Sequence, residues 1–364
     1  MPNYFAPAFQ VQVNNRELEA DVSVNIEQVS VVSKPDTMDT FNMTLANPYP
    51  TMRWTHTKDA DLFMEGNSVK IAMGYGSTGE LQVLMEGEIT GLSLTFPDSG
   101  VPTVTVNGHT LLHRLHGDKK ATAFQKMTDK EIVQKIASDA GLEPQCDETG
   151  EQFEYLMQAN QTDWEFVKQR AARIHYEVLI KGKTLIFRRI QQTEAKVFKF
   201  VWGYAQAELG GPDTLPLKSF APDMSALSQM QQVIVRGWNP ATKQEIIGRA
   251  GKGSEDANMG STTSAQVSEK LHKSRTHVQV NLPVATQAEA DQRASAIYNQ
   301  NAMKLVSGTA ATIGVPDLKS GSRVTLSGLG PRFSGDYFVN EATHTIGNAG
   351  YSTSFTVKRN AVSK

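Results

Sequence analysis

Apolar and polar residues alternate in Phe9-Gln10-Val11-Gln12-Val13, in Val69-Lys70-Ile71-Ala72-Met73 and in Thr103-Val104-Thr105-Val106. A period of two puts one face in a core and predicts strands. Asn14-Asn15, the stretch Gly74 to Gly79 and Pro97-Asp98-Ser99-Gly100 punctuate these runs as turns. Short strands at this spacing predict a sandwich or small barrel. From about residue 119 the period changes. Thr128-Asp129-Lys130-Glu131 is a capping box, followed at helical spacing by Ile132, Val133, Ile136, Ala137 and Ala140, with Gly141 placed for a left-handed C-cap. Thr162-Asp163-Trp164-Glu165 is a second box, followed by Phe166, Val167, Ala171 and Ile174. Tyr176 to Ile180, the turn Lys181-Gly182-Lys183 and Thr184 to Phe187 then read as a hairpin. Alternation returns in Val233-Ile234-Val235, Val278 to Leu282, Val324-Thr325-Leu326, Tyr337-Phe338-Val339 and Phe355-Thr356-Val357. One helix interrupts it, opening at the capping box Thr286-Gln287-Ala288-Glu289 and running to about Leu305.

These patterns divide the chain into a first β-barrel over 1–118, a middle α+β domain with helices and a hairpin over 119–230, and a second barrel over 231–364. The second barrel carries one helix and, at 251–266, a glycine- and serine-rich stretch expected to be a flexible loop. The expected fold class is mainly β with an α+β middle unit, the two barrels being related by internal duplication. Three pairs of segments carry that duplication. Gly66-Asn67-Ser68-Val69-Lys70-Ile71 resembles Gly321-Ser322-Arg323-Val324-Thr325-Leu326, and Gly87-Glu88 resembles Gly335-Asp336. Gly100 to Val106 resembles Gly350 to Val357. Spacings between the segments differ, in loops where length changes cost little.

Composition narrows the function. The 364 residues allow two or three domains at about 150 residues each. Lys plus Arg number 36 against 38 Asp plus Glu, a net charge of -2. A dedicated nucleic-acid binder or a membrane-surface protein needs a positive excess, so neither partner is expected. Cys146 is the one cysteine and has no mate in its own chain, so a reducing compartment is the default. No apolar run approaches the roughly 18 residues of a membrane-spanning helix. Met1 to Val13 has neither the basic start nor the apolar stretch of a signal peptide.

Several segments bear on chemistry. Gly74-Tyr75-Gly76-Ser77-Thr78-Gly79 matches the spacing of a dinucleotide loop, but a strand-like Leu81-Gln82-Val83-Leu84 follows where a helix is needed, so a hairpin turn is expected. Gly251-Lys252-Gly253-Ser254 lacks the earlier glycine of a phosphate loop. His109, His113 and His116 lie close together without a carboxylate or cysteine at metal-site spacing and read as surface histidines. Cys146 has no activating base beside it, and the adjacent carboxylates Asp147 and Glu148 carry no glycosidase geometry. No catalytic residue, cofactor or metal is expected, and the chain reads as a non-enzyme.

Four segments carry a family resemblance. They are Leu111-Leu112-His113-Arg114 with Thr128 to Ile136 and Gly141-Leu142; Asn160 to Ala171, containing Thr162, Asp163, Trp164, Glu165 and Phe166; Val233 to Pro240; and Phe333 to Val339 with His344 and Gly350 to Phe355. In this order they resemble the phage late-control protein D family, the baseplate hub proteins of contractile tails, and the hub-like N-terminal part of VgrG spike proteins. The resemblance implies two tail-tube-like barrels and a homotrimeric virion structural protein, a symmetry adapter joining a hexameric tail tube to a trimeric spike and forming the central channel. It implies tail tube, spike and baseplate wedge proteins as partners, and cargo or tape-measure protein in the lumen. Its place would be the baseplate of a virion or injection particle assembled in the bacterial cytoplasm. VgrG chains continue into a needle, whereas this sequence stops at Lys364, so a hub without its own spike is expected. The competing reading is a peptidoglycan- or glycan-cleaving tail enzyme. Within the central motif, Trp164 and Phe166 are expected in the core. Asp163 is expected at an exposed first-turn position, where its charge suits the helix dipole.

Overall fold

The structure is a computed structural model; it describes residues 6–35, 37–76, 80–150, 152–174, 176–189, 196–203, 211, 213–239, 242–257, 259–271, 275–280, 284 and 286–363. The chain forms two compact units. Unit one is Met1–Glu194 with Thr343–Ser352; unit two is Ala195–Ala342 with Thr353–Lys364.

Unit one contains β1 (Pro7–Val13), β2 (Arg16–Glu17), β3 (Ile26–Ser33), β4 (Thr40–Ala46), β5 (Ser68–Tyr75), β6 (Gln82–Thr95) and β7 (Thr103–His109). It continues with β8 (Lys120–Thr128), β9 (Glu143–Cys146), β10 (Gln152–Gln161), β11 (Tyr176–Lys181) and β12 (Thr184–Arg189). Unit two adds β13 (Val197–Trp202), β14 (Thr214–Met224), β15 (Gln232–Asn239), β16 (Gln244–Gly251), β17 (Thr262–Thr263), β18 (Thr276–Gln279), β19 (Val306–Ile313) and β20 (Arg323–Ser327). The last strands are β21 (Gly335–Gly347), β22 (Gly350–Arg359) and β23 (Ala361–Val362).

In unit one, six strands lie side by side in the order β1-β5-β6-β7-β4-β3. Their alternating apolar residues, among them Val11, Val29, Phe41, Met43, Ile71 and Val106, face one core. Trp54 and Phe63 close it, edge to face at 5.7 Å, with the Trp54 indole N–H donating to Ala46 O at 2.7 Å. The α+β part has a separate core running from Leu111 to Phe187. Helices Asp129–Asp139 and Asp163–Arg173 supply its buried apolar faces, beside the β8–β10 ribbon and the β11-β12-β9 sheet. The expected hairpin is present, Lys181 pairing with Thr184 across a two-residue turn.

In unit two the order is β13-β20-β21-β22-β19-β14, and the parallel pairing of β14 with β13 closes the ring into a six-stranded barrel. Phe200, Leu326, Tyr337 and Phe355 fill it. Numbered along the chain within each unit, both sheets read 1-4-5-6-3-2. The agreement extends to detail. Gly66 N–H donates to Ile89 O at 2.9 Å and Ile89 N–H to Asn67 O at 3.0 Å; Gly321 N–H donates to Val339 O and Val339 N–H to Ser322 O, both at 2.9 Å. Gly66 (φ +88) and Gly321 (φ +84) occupy the left-handed region that this turn demands. The second strand of each unit slips register against the third at the same place, between Ile26 and Gln28 in β3 and between Leu217 and Ser219 in β14. One difference remains: β1 runs antiparallel to β5, whereas β13 runs parallel to β20.

The duplication is thus present, with one correction. Ile89 corresponds to Val339, so Gly87 matches Tyr337 rather than Gly335. Two boundaries also differ from the sequence reading. The second barrel begins at β13, because β13 and β14 complete its ring, although the sequence division leaves both strands in the middle domain ending at 230. The described residues between 231 and 305 include, in place of barrel strands, an α/β layer with its own core of Val233, Val235, Ile246, Ala290, Ala294 and Tyr298. Nor is the stretch at 251–266 a loose loop where it is described. Asn299 Nδ2 donates to Ser254 O, Tyr298 Oη to Glu255, and Asn360 Nδ2 to Ala257 O. The fully buried Arg359 guanidinium donates to Met259 O at 2.9 Å and stacks over Tyr337 at 5.2 Å.

Candidate assembly interface

The central motif folds as a complete helix start. Thr162 N–H donates to Glu165 Oε2 at 2.9 Å, and Glu165 N–H donates to Thr162 Oγ1 at 3.1 Å. Trp164 and Phe166 are buried, Trp164 stacked on His116 at 5.5 Å and Phe166 on Phe124 at 5.6 Å. Asp163 is not at an exposed position, which corrects the sequence expectation. It is buried, takes Lys120 Nζ at 2.6 Å and Gln158 Nε2 at 3.0 Å, and so ties the helix start to the β8–β10 ribbon. The first helix is built the same way. Thr128 and Glu131 cap each other, and buried Asp129 holds Arg170 of the second helix, Nε to Oδ1 at 2.5 Å and Nη2 to Oδ2 at 3.2 Å. Sequence reasoning missed this pair. Its signal is the frame Thr-Asp-x-Glu-apolar-Val, which occurs at Thr128–Val133 and again at Thr162–Val167. The motif is a packing and ion-pair lock.

The other candidates are spent on structure. His109 Nδ1 meets Thr90 Oγ1 at 2.8 Å, His113 lies 3.7 Å from Glu88, and His116 packs on Trp164. Burial and the two neighbouring histidines hold His109 below its ordinary pKa. His344 is buried against the Tyr351 hydroxyl at 2.9 Å. Among the described residues no group of three His, Cys, Asp or Glu side chains could hold a metal. Asp147 accepts from Arg189 N–H, and Glu148 pairs with Lys130. The glycine turn at 74–79 joins the antiparallel β5 and β6; its Ser77–Gly79 portion lies outside the described residues, as does Pro240 of the third resembling segment. An open depression is lined by Lys196, Phe198, Asp317, Lys319 and Ser320 to Ser322, and Lys196 is already paired with Asp317 at 2.9 Å.

Burial pushes the Cys146 thiol up to about 11. The thiolate is the reacting form, so at pH 8 the folded protein should react with iodoacetamide roughly 100-fold more slowly than the urea-unfolded chain, whose thiol has a pKa of about 8.5. Mass spectrometry of timed samples measures this; equal rates would show that burial does not suppress the Cys146 thiolate.

What the surface offers instead is apolar area. Leu92, Leu94, Phe96 and Val101 are exposed at the tip of the β6–β7 hairpin, Tyr155 and Met157 on the β8–β10 ribbon, and Trp238, Val278 and Val280 on the β15 sheet. Scattered exposed apolar residues are ordinary, but clusters mark interaction surfaces.

The family model described as the Alg8 N-terminal domain matches residues 6–348. The chain belongs to that family. No curated protein matches it. Among solved structures, this member of the Alg8 N-terminal domain family is similar to the prophage MuSo2 43 kDa tail protein of Shewanella oneidensis, at 13% identity and a TM-score of 0.71, over 97% of this chain and 98% of that one. It is similar to the tail protein of Neisseria meningitidis MC58 at 12% identity and a TM-score of 0.68, over 98% and 97%. It is also similar to the E. coli c3393 protein, described as a component of the type VI secretion system with structural similarity to T4 bacteriophage tail proteins gp27 and gp5. There the identity is 10% and the TM-score 0.56, over 96% of this chain and 77% of that one. The fold is the one these tail proteins have. Sequence matching places the chain with the Alg8 N-terminal domain over residues 6–348.

Proposed function

We propose that the chain is the structural hub of a contractile-tail or phage-like injection baseplate, of the late-control protein D and VgrG-hub kind. A homotrimer would join a hexameric tail tube on one face to a trimeric spike on the other and form the channel between them. The observation that carries this reading is the shared strand order of the two units. A chain holding two versions of one module lets three chains present six similar modules in a ring, which is what a junction between sixfold and threefold partners requires. Likeness of fold to tail proteins and to a type VI secretion component supports the same reading. The nearly neutral charge of -2 suits a lumen that passes cargo without holding it. Baseplate wedge proteins, and cargo or tape-measure protein in the lumen, are the further partners, in a particle assembled in the bacterial cytoplasm. The role requires no catalysis. A peptidoglycan-cleaving tail enzyme would need two carboxylates facing a substrate, and the adjacent pair Asp147 and Glu148 is engaged as described above. Native mass spectrometry of the hub extracted with its spike tests the proposal. Three copies are expected; one or six would overturn it, and so would glycan hydrolysis abolished by a single Asp or Glu substitution.

A further inference from the structure

The duplication identifies a surface by what its counterpart does. In each unit a hairpin joins the fifth and sixth strands. The tip of the unit-two hairpin β21–β22, Thr343–Ser352, belongs to unit one, where it pairs with the free edge of β3. There Ile346 (3% exposed) and Tyr351 (6%) are part of the unit-one core, and the Thr345 hydroxyl lies 3.4 Å from that of Ser30. The unit-one hairpin β6–β7 is its counterpart with a longer connection, β6 ending at Thr95 and β7 starting at Thr103 where β21 ends at Gly347 and β22 starts at Gly350. From the matched positions Ile89 and Val339, each hairpin reaches a left-handed turn glycine at the same separation, Gly100 at φ +107 and Gly350 at φ +91. Counted from there, Thr95 matches Thr345, Phe96 matches Ile346 and Val101 matches Tyr351. Yet Phe96 is 62% and Val101 50% exposed.

The receiving edge is duplicated as well. β3 corresponds to β14, and their matching register slips align Ser30 with Ala221. β13 covers β14 only from Thr214 to Leu217. Beyond that, among the described residues, no strand lies on that side of β14, and Lys218, Ser219 and Ala221 are exposed. Pro222, with no N–H to give, ends the usable edge. An open edge and an apolar hairpin are each aggregation hazards unless they are covered.

We infer that the Leu92–Val101 hairpin of one chain adds to the Lys218–Ala221 edge of β14 in a second copy of this chain, burying Phe96 and Val101. Each chain then offers one hairpin and one edge. Such a head-to-tail contact either closes as a ring or runs on as a filament, and it rests on the hub reading for closure at three.

Cysteine cross-linking tests it. In a Cys146→Ser background, Thr95→Cys with Ala221→Cys, mildly oxidised, should give disulfide-linked dimers and trimers, while either cysteine alone should not. Ser30→Cys with Thr345→Cys should link within one chain and serves as the geometric control. Phe96→Asp should shift the protein to monomer with its circular dichroism unchanged. A trimer that persists while the Thr95/Ala221 pair fails to link and the control succeeds would overturn this inference and leave the hub reading standing. A chain that stays monomeric, even when extracted with its spike, would overturn both.

Discussion

Asp129→Asn should cost the protein roughly 3 to 5 kcal/mol, the usual penalty for breaking a buried ion pair by removing one partner. The Asp129 and Arg170 side chains are 2% and 8% exposed and make two parallel contacts. Asparagine keeps one acceptor but turns an N–H₂ group toward the guanidinium. It also removes the negative charge from the first turn of its helix, where the dipole favours it. Arg170 lies over the Phe153 ring at 4.6 Å and is too enclosed to turn to water. Against a typical domain stability of 5 to 15 kcal/mol the loss is large. Urea unfolding of the purified full chain measures it. Adding Arg170→Met should recover more than half, because the stranded charge is what costs most. A loss under about 1 kcal/mol for Asp129→Asn would show that the pair is replaceable by water.

Asp163 sits in the same frame but should behave differently. Its partner Lys120 has a side chain 49% exposed, so the ammonium can return to solvent when the pair is broken. Asp163→Asn should therefore cost less than Asp129→Asn, although the two residues occupy equivalent positions in sequence.

That contrast marks how far the sequence was legible. The capping boxes, the helices they open, the Tyr176–Phe187 hairpin and the core strands around Val11, Ile71, Val106, Val235, Leu326 and Val357 follow from local periodicity. Local signals of this kind survive because capping and alternation act within a few residues. The burial of Asp163 does not follow, since it depends on Lys120, which is distant in the chain. Boundaries failed for the same reason. β13 alternates plainly through Phe198 and Phe200, but only its pairing with β20 and β14 assigns it to the second barrel. In β14, Pro216 and Pro222 hide the strand: Pro216 lies within the pairing with β13, and Pro222 lies beyond its end. Residue type alone pairs Gly87 with Gly335, and the hydrogen-bond ring at Ile89 and Val339 corrects the match. For the apolar hairpin tip the sequence pattern predicts only a turn at Pro97 to Gly100. Its meaning depends on where the duplicate tip goes, which periodicity does not encode.

Trp164→Ala should cost about 3 kcal/mol, at the lower end of the range for truncating a buried aromatic. The ring is 7% exposed, so its edge already meets water, and it loses one stacked partner, His116 at 5.5 Å. The cavity left behind opens in the core that Trp164 shares with Val167, Ala171, Tyr176 and Phe187. These residues come from a helix and a hairpin with few alternative packings, so partial collapse should recover little. Most variant protein should be insoluble or degraded in cells, since a loss of this size cuts deeply into the stability margin. Soluble yield and urea midpoint of the purified variant measure it, with Trp164→Phe as the comparison. Phenylalanine keeps a ring over His116 and should restore more than half of the loss. If Trp164→Ala instead folded with an unchanged midpoint but failed to assemble, Trp164 would be acting at an interface and not in the core. The stacking on His116 would then have to give way in the assembled state.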